Sequence, residues 1–134
     1  MKAPLWEPSE ERRKTAAISA FLSFVNDRHG TRFSSFGELY DWSVTDIPHF
    51  WAAVWDFVGI KASRPYDVVV DDATRMPGAR WFIGAKLNFA ENLLRHRDGH
   101  TAFVFRGETQ KTVRMTYAEL HESVARLARS LRDM

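Results

Sequence analysis

The chain has 134 residues with 19 basic and 17 acidic side chains, a formal net charge of +2, and no cysteine. That length holds one domain with a real core, while the even charge balance argues against nucleic acid as a partner. Disulfides, a thiolate nucleophile and a Cys-based zinc site are excluded, and no apolar run is long enough to span a membrane. Residues 1–8 carry neither a signal core nor a small-residue cleavage site, so a cytoplasmic location is expected. The basic clusters, Arg12-Arg13-Lys14 and Arg126, Arg129, Arg132, stand beside Glu10, Glu11 and Glu122 and read as solvated helix faces. Aromatic content is the departure: 13% of the chain, with five Trp and ten Phe.

Residues 9–29 are expected to form one helix, with Ile18, Phe21, Leu22 and Val25 on a stripe and Gly30 as left-handed cap. Ser35-Phe36-Gly37-Glu38 is a capping box that opens a short helix through about Trp42. Thr45-Asp46-Ile47-Pro48 opens the next, with Thr45 or Asp46 as cap and Pro48 tolerated in the first turn. Ile47, Phe50, Trp51, Val54, Trp55 and Val58 then fall on one helical stripe, which Gly59 ends. From residue 60 to about 86 periodicity fails. Tyr66-Asp67-Val68-Val69-Val70 suggests a short strand without an evident neighbour. Trp81-Phe82 lies in the same irregular stretch and is expected to be a buried anchor. Residues 88–96 read as a short helix. Residues 101–106 and 111–115 form a hairpin around Gly107-Glu108-Thr109-Gln110. Thr116-Tyr117-Ala118-Glu119 is a second capping box, opening a helix with Tyr117, Leu120, Val124, Leu127, Ala128 and Leu131 on one face. No stop signal follows before Met134, so the chain reads as cut inside a second domain.

Chemistry-bearing patterns are weak. A phosphate loop needs small residues so that backbone N–H groups approach the phosphates; Gly107-Glu108-Thr109-Gln110-Lys111 is the nearest match, and a hairpin turn explains it better. His96, Asp98 and His100 are candidate metal ligands, but Gly99 breaks the helix that would align them. Asp67, Asp71 and Asp72 are candidate Mg2+ or acid–base carboxylates without a pocket, so a solvated loop is the plainer reading. Trp42, Trp51 and Trp55 suggest a stacking platform, but their apolar neighbours favour packing.

Beyond these patterns, Thr116-Tyr117-Ala118-Glu119-Leu120 with Val124, Leu127, Ala128 and Leu131 resembles the first helix of adenylate-forming enzymes, preceded there by a hairpin like residues 101–115. Trp81-Phe82-x-Gly84-x-x-Leu87-Asn88 resembles the segment leading into the main domain of the acetyl-CoA synthetase group. Asn88-Phe89-Ala90-Glu91-Asn92-Leu93-Leu94-Arg95-His96, Trp42-Ser43-Val44, Phe50-Trp51, Trp55-x-Phe57 and Leu5-Trp6-Glu7-Pro8 are similar to the acetoacetyl-CoA synthetases within that group. The resemblance runs from about Leu5 to Leu131. It implies a parent enzyme of ketone-body and lipid metabolism that uses ATP, Mg2+ and CoA to convert acetoacetate to acetoacetyl-CoA, AMP and pyrophosphate. The phosphate loop, the aromatic-Gly-x-Thr-Glu motif and the C-terminal lysine of that family are not in this sequence, so no catalytic, cofactor or metal residue carries over. What carries over is structural: Trp51, Trp55, Trp81, Phe82 and Asn88 are expected docking contacts for the rest of the synthetase.

The expected fold is α+β and mostly helical. Residues 1–98 form an N-terminal helical region, and residues 99–134 a hairpin and the first helix of a truncated adenylation domain. The expected role is a non-catalytic structural segment whose partner is the remainder of the synthetase, with neither nucleic acid nor membrane involved. The same segment of an acetyl- or propionyl-CoA synthetase, or a free-standing partner-binding module, are the alternatives.

Overall fold

Ser9 opens the first helix, its hydroxyl accepting from the Arg12 N–H at 3.3 Å, and α1 runs Glu10–Lys14. The structure, a computed structural model, describes residues 5–134. The single helix expected over residues 9–29 is in fact two. The Thr15 hydroxyl donates to the Glu11 carbonyl at 2.9 Å, Ala16 is extended, and the Ser19 hydroxyl donates to the Arg13 carbonyl at 2.6 Å. Side-chain hydroxyls that take up main-chain carbonyls compete with the helical ladder. Apolar periodicity does not register this break, because the stripe resumes in α2, Ala17–His29.

Gly30 ends α2 in the left-handed region at φ 65°. The Asn26 amide then ties the following loop to the helix: its nitrogen donates to the Phe33 carbonyl, and its oxygen accepts from the Thr31 hydroxyl and the Phe33 N–H. The expected capping box is present at α3, Phe36–Thr45, which runs past Trp42. Glu38 reaches back to the Ser34 and Ser35 N–H groups, and the Ser34 N–H first, then the serine hydroxyls, hold its carboxyl below the usual range. Helix α4 spans Ile47–Val58 and ends at left-handed Gly59. Asp46, one of the two expected caps, is the N-cap residue, but its side chain makes no capping bond. The Asp46 carboxylate meets His49 Nδ1 at 2.7 and 2.9 Å instead of a backbone N–H, and the Thr45 hydroxyl donates to the Asp41 carbonyl at 2.7 Å.

Phe21, Val25, Leu39 and Ala53 form the core of these helices, with Leu22, Phe24, Phe33, Trp42, Phe50 and Val54 packed around it. The fully buried residue of α4 is Ala53, which the expected stripe omits. A methyl side chain lets neighbouring helices approach, while the larger Trp51, Phe57 and Val58 stay partly in water.

The strand expected near Val68 finds its neighbour later in the same stretch. Strand β1, Val68–Val70, pairs antiparallel with β2, Trp81–Ile83, in the register Val68 with Ile83 and Val70 with Trp81. Arg80 donates its N–H and its Nε–H to Asp71, each at 2.9 Å, and closes the ribbon. Chiefly through the Arg80 N–H, the Asp71 carboxyl is lowered to about 2. A depressed folded-state value contributes stability that is present above the unfolded value of about 3.9 and is lost as pH falls through about 2. We therefore expect the Asp71 side chain to titrate near pH 2 by carboxyl-carbon NMR, with the β1–β2 amide shifts changing over the same interval. Asp71→Asn removes that acid transition; a titration at pH 4 contradicts the assignment.

Contacts divide the chain into two units, residues 5–60 with Arg64–Lys86, and Lys61–Ser63 with Leu87–Met134. In the second unit the Asn88 side chain caps α5, Phe89–Leu93, by accepting from the Ala90 and Glu91 N–H groups. Asn92 holds the 61–63 segment in this unit, accepting from the Lys61 N–H at 2.8 Å and donating to its carbonyl at 2.9 Å. Strands β3, Thr101–Phe105, and β4, Val113–Thr116, form the expected hairpin, with a register shift between Thr101 and Phe103 and a connection over residues 106–112. The second expected capping box, Thr116 with Glu119, opens α6, Tyr117–Arg132. No residue of α6 is buried. The α+β, mostly helical class read from the sequence is the class observed.

Candidate docking surface

Trp55 and Phe82 pack on each other, with ring centroids 4.7 Å apart, and both meet Tyr66, at 5.2 and 5.4 Å. This three-ring cluster joins α4 to the β1–β2 ribbon. Offset and edge-to-face pairs at such distances are favourable. Phe82 sits in the left-handed region at φ 47°, which a bulky side chain rarely adopts. Such a residue costs about 1–3 kcal/mol and persists only where its surroundings hold it; here the Trp55 and Tyr66 rings do so. The cover of Phe82, expected as part of a buried anchor, comes from a helix and a loop distant in sequence.

Trp51 and Trp81 form a second pair, edge to face at 5.9 Å, with 40% and 43% of their surfaces exposed. Trp81, expected as a buried anchor, is therefore a surface ring within this chain. Asn88 is exposed and its side chain is engaged as the α5 cap. The five expected docking residues thus fall into an internal pair, an outward pair and a helix cap. Tyr66 completes the first and was not singled out from sequence. Its signal is faint: one aromatic after Pro65, outside any periodic segment.

The remaining candidates are accounted for by local bonds. Asp67 pairs with Arg64 at 2.8 Å, Asp71 with Arg80 at 2.9 Å and Asp72 with Arg75 at 3.2 Å. Three neighbouring carboxylates thus serve three arginines rather than one cation. The Asp98 carboxylate accepts from the His100 N–H at 3.0 Å and meets its Nδ1 at 2.9 Å; the N–H in particular holds the Asp98 carboxyl below its usual range. The His96 ring lies 5.8 Å from Tyr117. Carbonyls of Asp98 and His100 accept from the Ala118 and Tyr117 N–H groups, so the 97–100 turn seats the start of α6. Residues 107–111 lie in the connection between β3 and β4. These donor sets do not fit a Mg2+–nucleotide cradle, and no step of a ligase reaction is assigned to them. Among the described residues no helix is long and apolar enough to cross a membrane.

A wide apolar groove opens on the first unit, with a volume of about 460 Å³. Its floor is the core itself, Phe21 and Leu39, and its rim carries Ile18, Phe36, Tyr40 and Phe57. Sequence reading missed it, although Phe36 and Tyr40 stand at i, i+4 on one helix.

The acetyl-coenzyme A synthetase N-terminus family matches residues 36–93. Acetoacetyl-CoA synthetase of Danio rerio is 38% identical over 133 residues, covering 97% of this chain and 20% of that protein. Malonamoyl-CoA synthetase of Penicillium aethiopicum is also 38% identical, over 97% of this chain and 19% of that protein. The solved acetoacetyl-CoA synthetase from Streptomyces lividans superposes with a TM-score of 0.84 at 38% identity, covering 98% of this chain and 21% of that one. The chain thus spans about a fifth of the length of these relatives. In sequence and in fold the chain is similar to the N-terminal fifth of the acetoacetyl-CoA synthetases.

Proposed function

We propose that this chain is the N-terminal structural segment of an ATP-dependent, cytoplasmic acetoacetate–CoA ligase, and that it supplies no catalytic group. In that reading residues 99–134 begin the adenylation domain, and ATP, Mg2+, CoA and acetoacetate bind to the remainder of the enzyme. The observation that carries the reading is the match along nearly the whole chain, in sequence and in fold, to one fifth of acetoacetyl-CoA synthetases. The Trp51–Trp81 pair is the proposed outward docking contact. Trp55 and Phe82 join α4 to the ribbon that carries Trp81, and Asn88 caps α5. Acyl specificity belongs outside this segment: a malonamoyl-CoA synthetase is as similar to it as the acetoacetyl enzymes are.

The test is co-expression of this chain with the remainder of the Streptomyces lividans synthetase, followed by pull-down and assay of acetoacetyl-CoA formation. Each buried aromatic offers about 150–250 Å² of contact and contributes roughly 1.5–3 kcal/mol before ordering costs. An exposed ion pair contributes about 1 kcal/mol or less. Trp81→Ala and Trp55→Ala are therefore expected to lose most of the complex, and Arg12→Ala little. Acetoacetate-dependent ATP–pyrophosphate exchange should appear with the complex and be absent from this chain alone. If the three variants behave alike, or the remainder is fully active by itself, the docking role is wrong.

A further inference from the structure

The groove on the first unit has an unusual construction. Phe21 and Leu39 are 6% and 2% exposed, yet they also form its floor. The core is therefore covered there by one layer of side chains and no more. The rim does not close over it: Phe36 and Tyr40 of α3 are 66% and 54% exposed, with Ile18 of α2 and Phe57 of α4 also turned to solvent. Three helices thus present apolar side chains around one hollow. The Ser43 hydroxyl, at its edge, already donates to the Tyr40 carbonyl. The lining carries no charged group, so nothing in it recognises a phosphate, a nucleotide or an acidic peptide. Domains are built of packed layers around a core, and a contiguous apolar surface of this kind marks a contact site.

We infer that an apolar segment of the remaining synthetase polypeptide, from the part beyond the fifth this chain spans, seats in the α2–α3–α4 groove and completes the core of the first unit. The inference rests on the reading of the chain as a synthetase segment, and it adds a docking face that does not involve Trp51, Trp55, Trp81, Phe82 or Asn88. Two observations select this occupant. The relatives are about five times as long as the matched region, so most of the polypeptide available to cover the groove lies outside this chain. The lining is apolar and uncharged on all three helices, which fits an intramolecular core contact rather than a regulated, charge-steered one. Association with a second copy of this chain and a permanently open groove are the competing outcomes.

The chain contains no cysteine, so a single introduced thiol reports on one place. Phe36→Cys and Tyr40→Cys are made in this chain, with Glu10→Cys as a solvent-exposed control. The same substitutions are made in a full-length chimera whose matched N-terminal region is this chain and whose remainder is the Streptomyces lividans synthetase. Thiol labelling is followed site by site by peptide mass. The expected result is rapid labelling at 36 and 40 in the isolated chain, at least tenfold slower labelling at both in the chimera, and equal labelling of the Glu10→Cys control. Protection in the isolated chain that grows with concentration means a second copy fills the groove and overturns the proposal. Equal labelling in both contexts, with the chimera active in acetoacetyl-CoA formation, also overturns it while leaving the synthetase reading intact. A chimera that carries the wild-type segment and has no activity counts against the reading itself, and the inference falls with it.

Discussion

Phe21→Ala is expected to lower the melting midpoint of the first unit steeply or to abolish its cooperative melt. Phe21 is nearly fully buried and touches three aromatic rings: Phe24 at 6.5 Å, Phe50 at 5.9 Å and Phe57 at 5.1 Å. It therefore joins α2 to α4 directly. Removing a buried Phe side chain costs about 3–5 kcal/mol, because the transfer energy is lost and the cavity collapses only in part. A domain of this size holds a total of only about 0.05–0.15 kcal/mol per residue. The loss is therefore comparable with the whole stability of the unit. Each kcal/mol lowers the midpoint of a small domain by about 4–8 °C. A far-ultraviolet melt should show a fall of at least about 12 °C or no cooperative transition. Ile18→Ala, at a half-exposed groove position, should fall far less in the isolated chain. A shift of a few degrees for Phe21→Ala would show that the α2–α4 packing is not as described.

Gly84→Ala carries the second large effect. Gly84 has φ 87°, a conformation that L side chains rarely adopt, and a Cβ there would overlap the Asp67 carboxylate. Asp67 is not free to move away at no cost. Its N–H donates to the Ile83 carbonyl at 2.7 Å, and its carboxylate holds Arg64 at 2.8 Å. Backbone strain of about 1–3 kcal/mol adds to the displaced pairing, so a loss of about 2–4 kcal/mol is expected. The ribbon that carries Trp81 and Phe82 would be displaced with it. The readout is tryptophan fluorescence, because the Trp55–Phe82 and Trp51–Trp81 contacts depend on the ribbon register. Gly37→Ala is the internal control. Gly37 lies inside α3 with only the Ser35 hydroxyl near a new methyl, at 3.8 Å. There alanine should be neutral or stabilising by about 0.5–1 kcal/mol. Equal behaviour of the two variants would remove the steric argument.

The motif Trp81-Phe82-x-Gly84 acquires a physical meaning from this geometry. Phe82 occupies a left-handed position and stays there because two rings hold it. Gly84 turns the chain beside Asp67, where no side chain fits. From the sequence these residues resemble a family segment. The reason for their identity lies in contacts with Trp55, Tyr66 and Asp67, none of which is local to the motif.

The local features were legible in the order of the residues. Both capping boxes, the left-handed caps at Gly30 and Gly59, the long apolar α4 and the hairpin before α6 appear where local chemistry puts them. The caps depend on residues within about four positions, and the α4 stripe and the hairpin on one continuous stretch of chain, so no distant partner is needed to specify them. The family match was also legible, because short runs of specific residues recur along the whole chain. Which apolar residues are core and which are surface depends instead on how the elements pack in the folded chain. Ala53 rather than a Trp is the buried residue of α4, since helix approach depends on the opposing side chains and not on the hydrophobicity of one strip. The β1–β2 pairing likewise appears only in the folded chain, because a ribbon of three-residue strands has too few positions to show a period of two. The break between α1 and α2 arose from hydroxyls bonding main-chain carbonyls, which a pattern of apolar spacing does not contain. The groove needed three helices to come together, and no single segment of the sequence carries it.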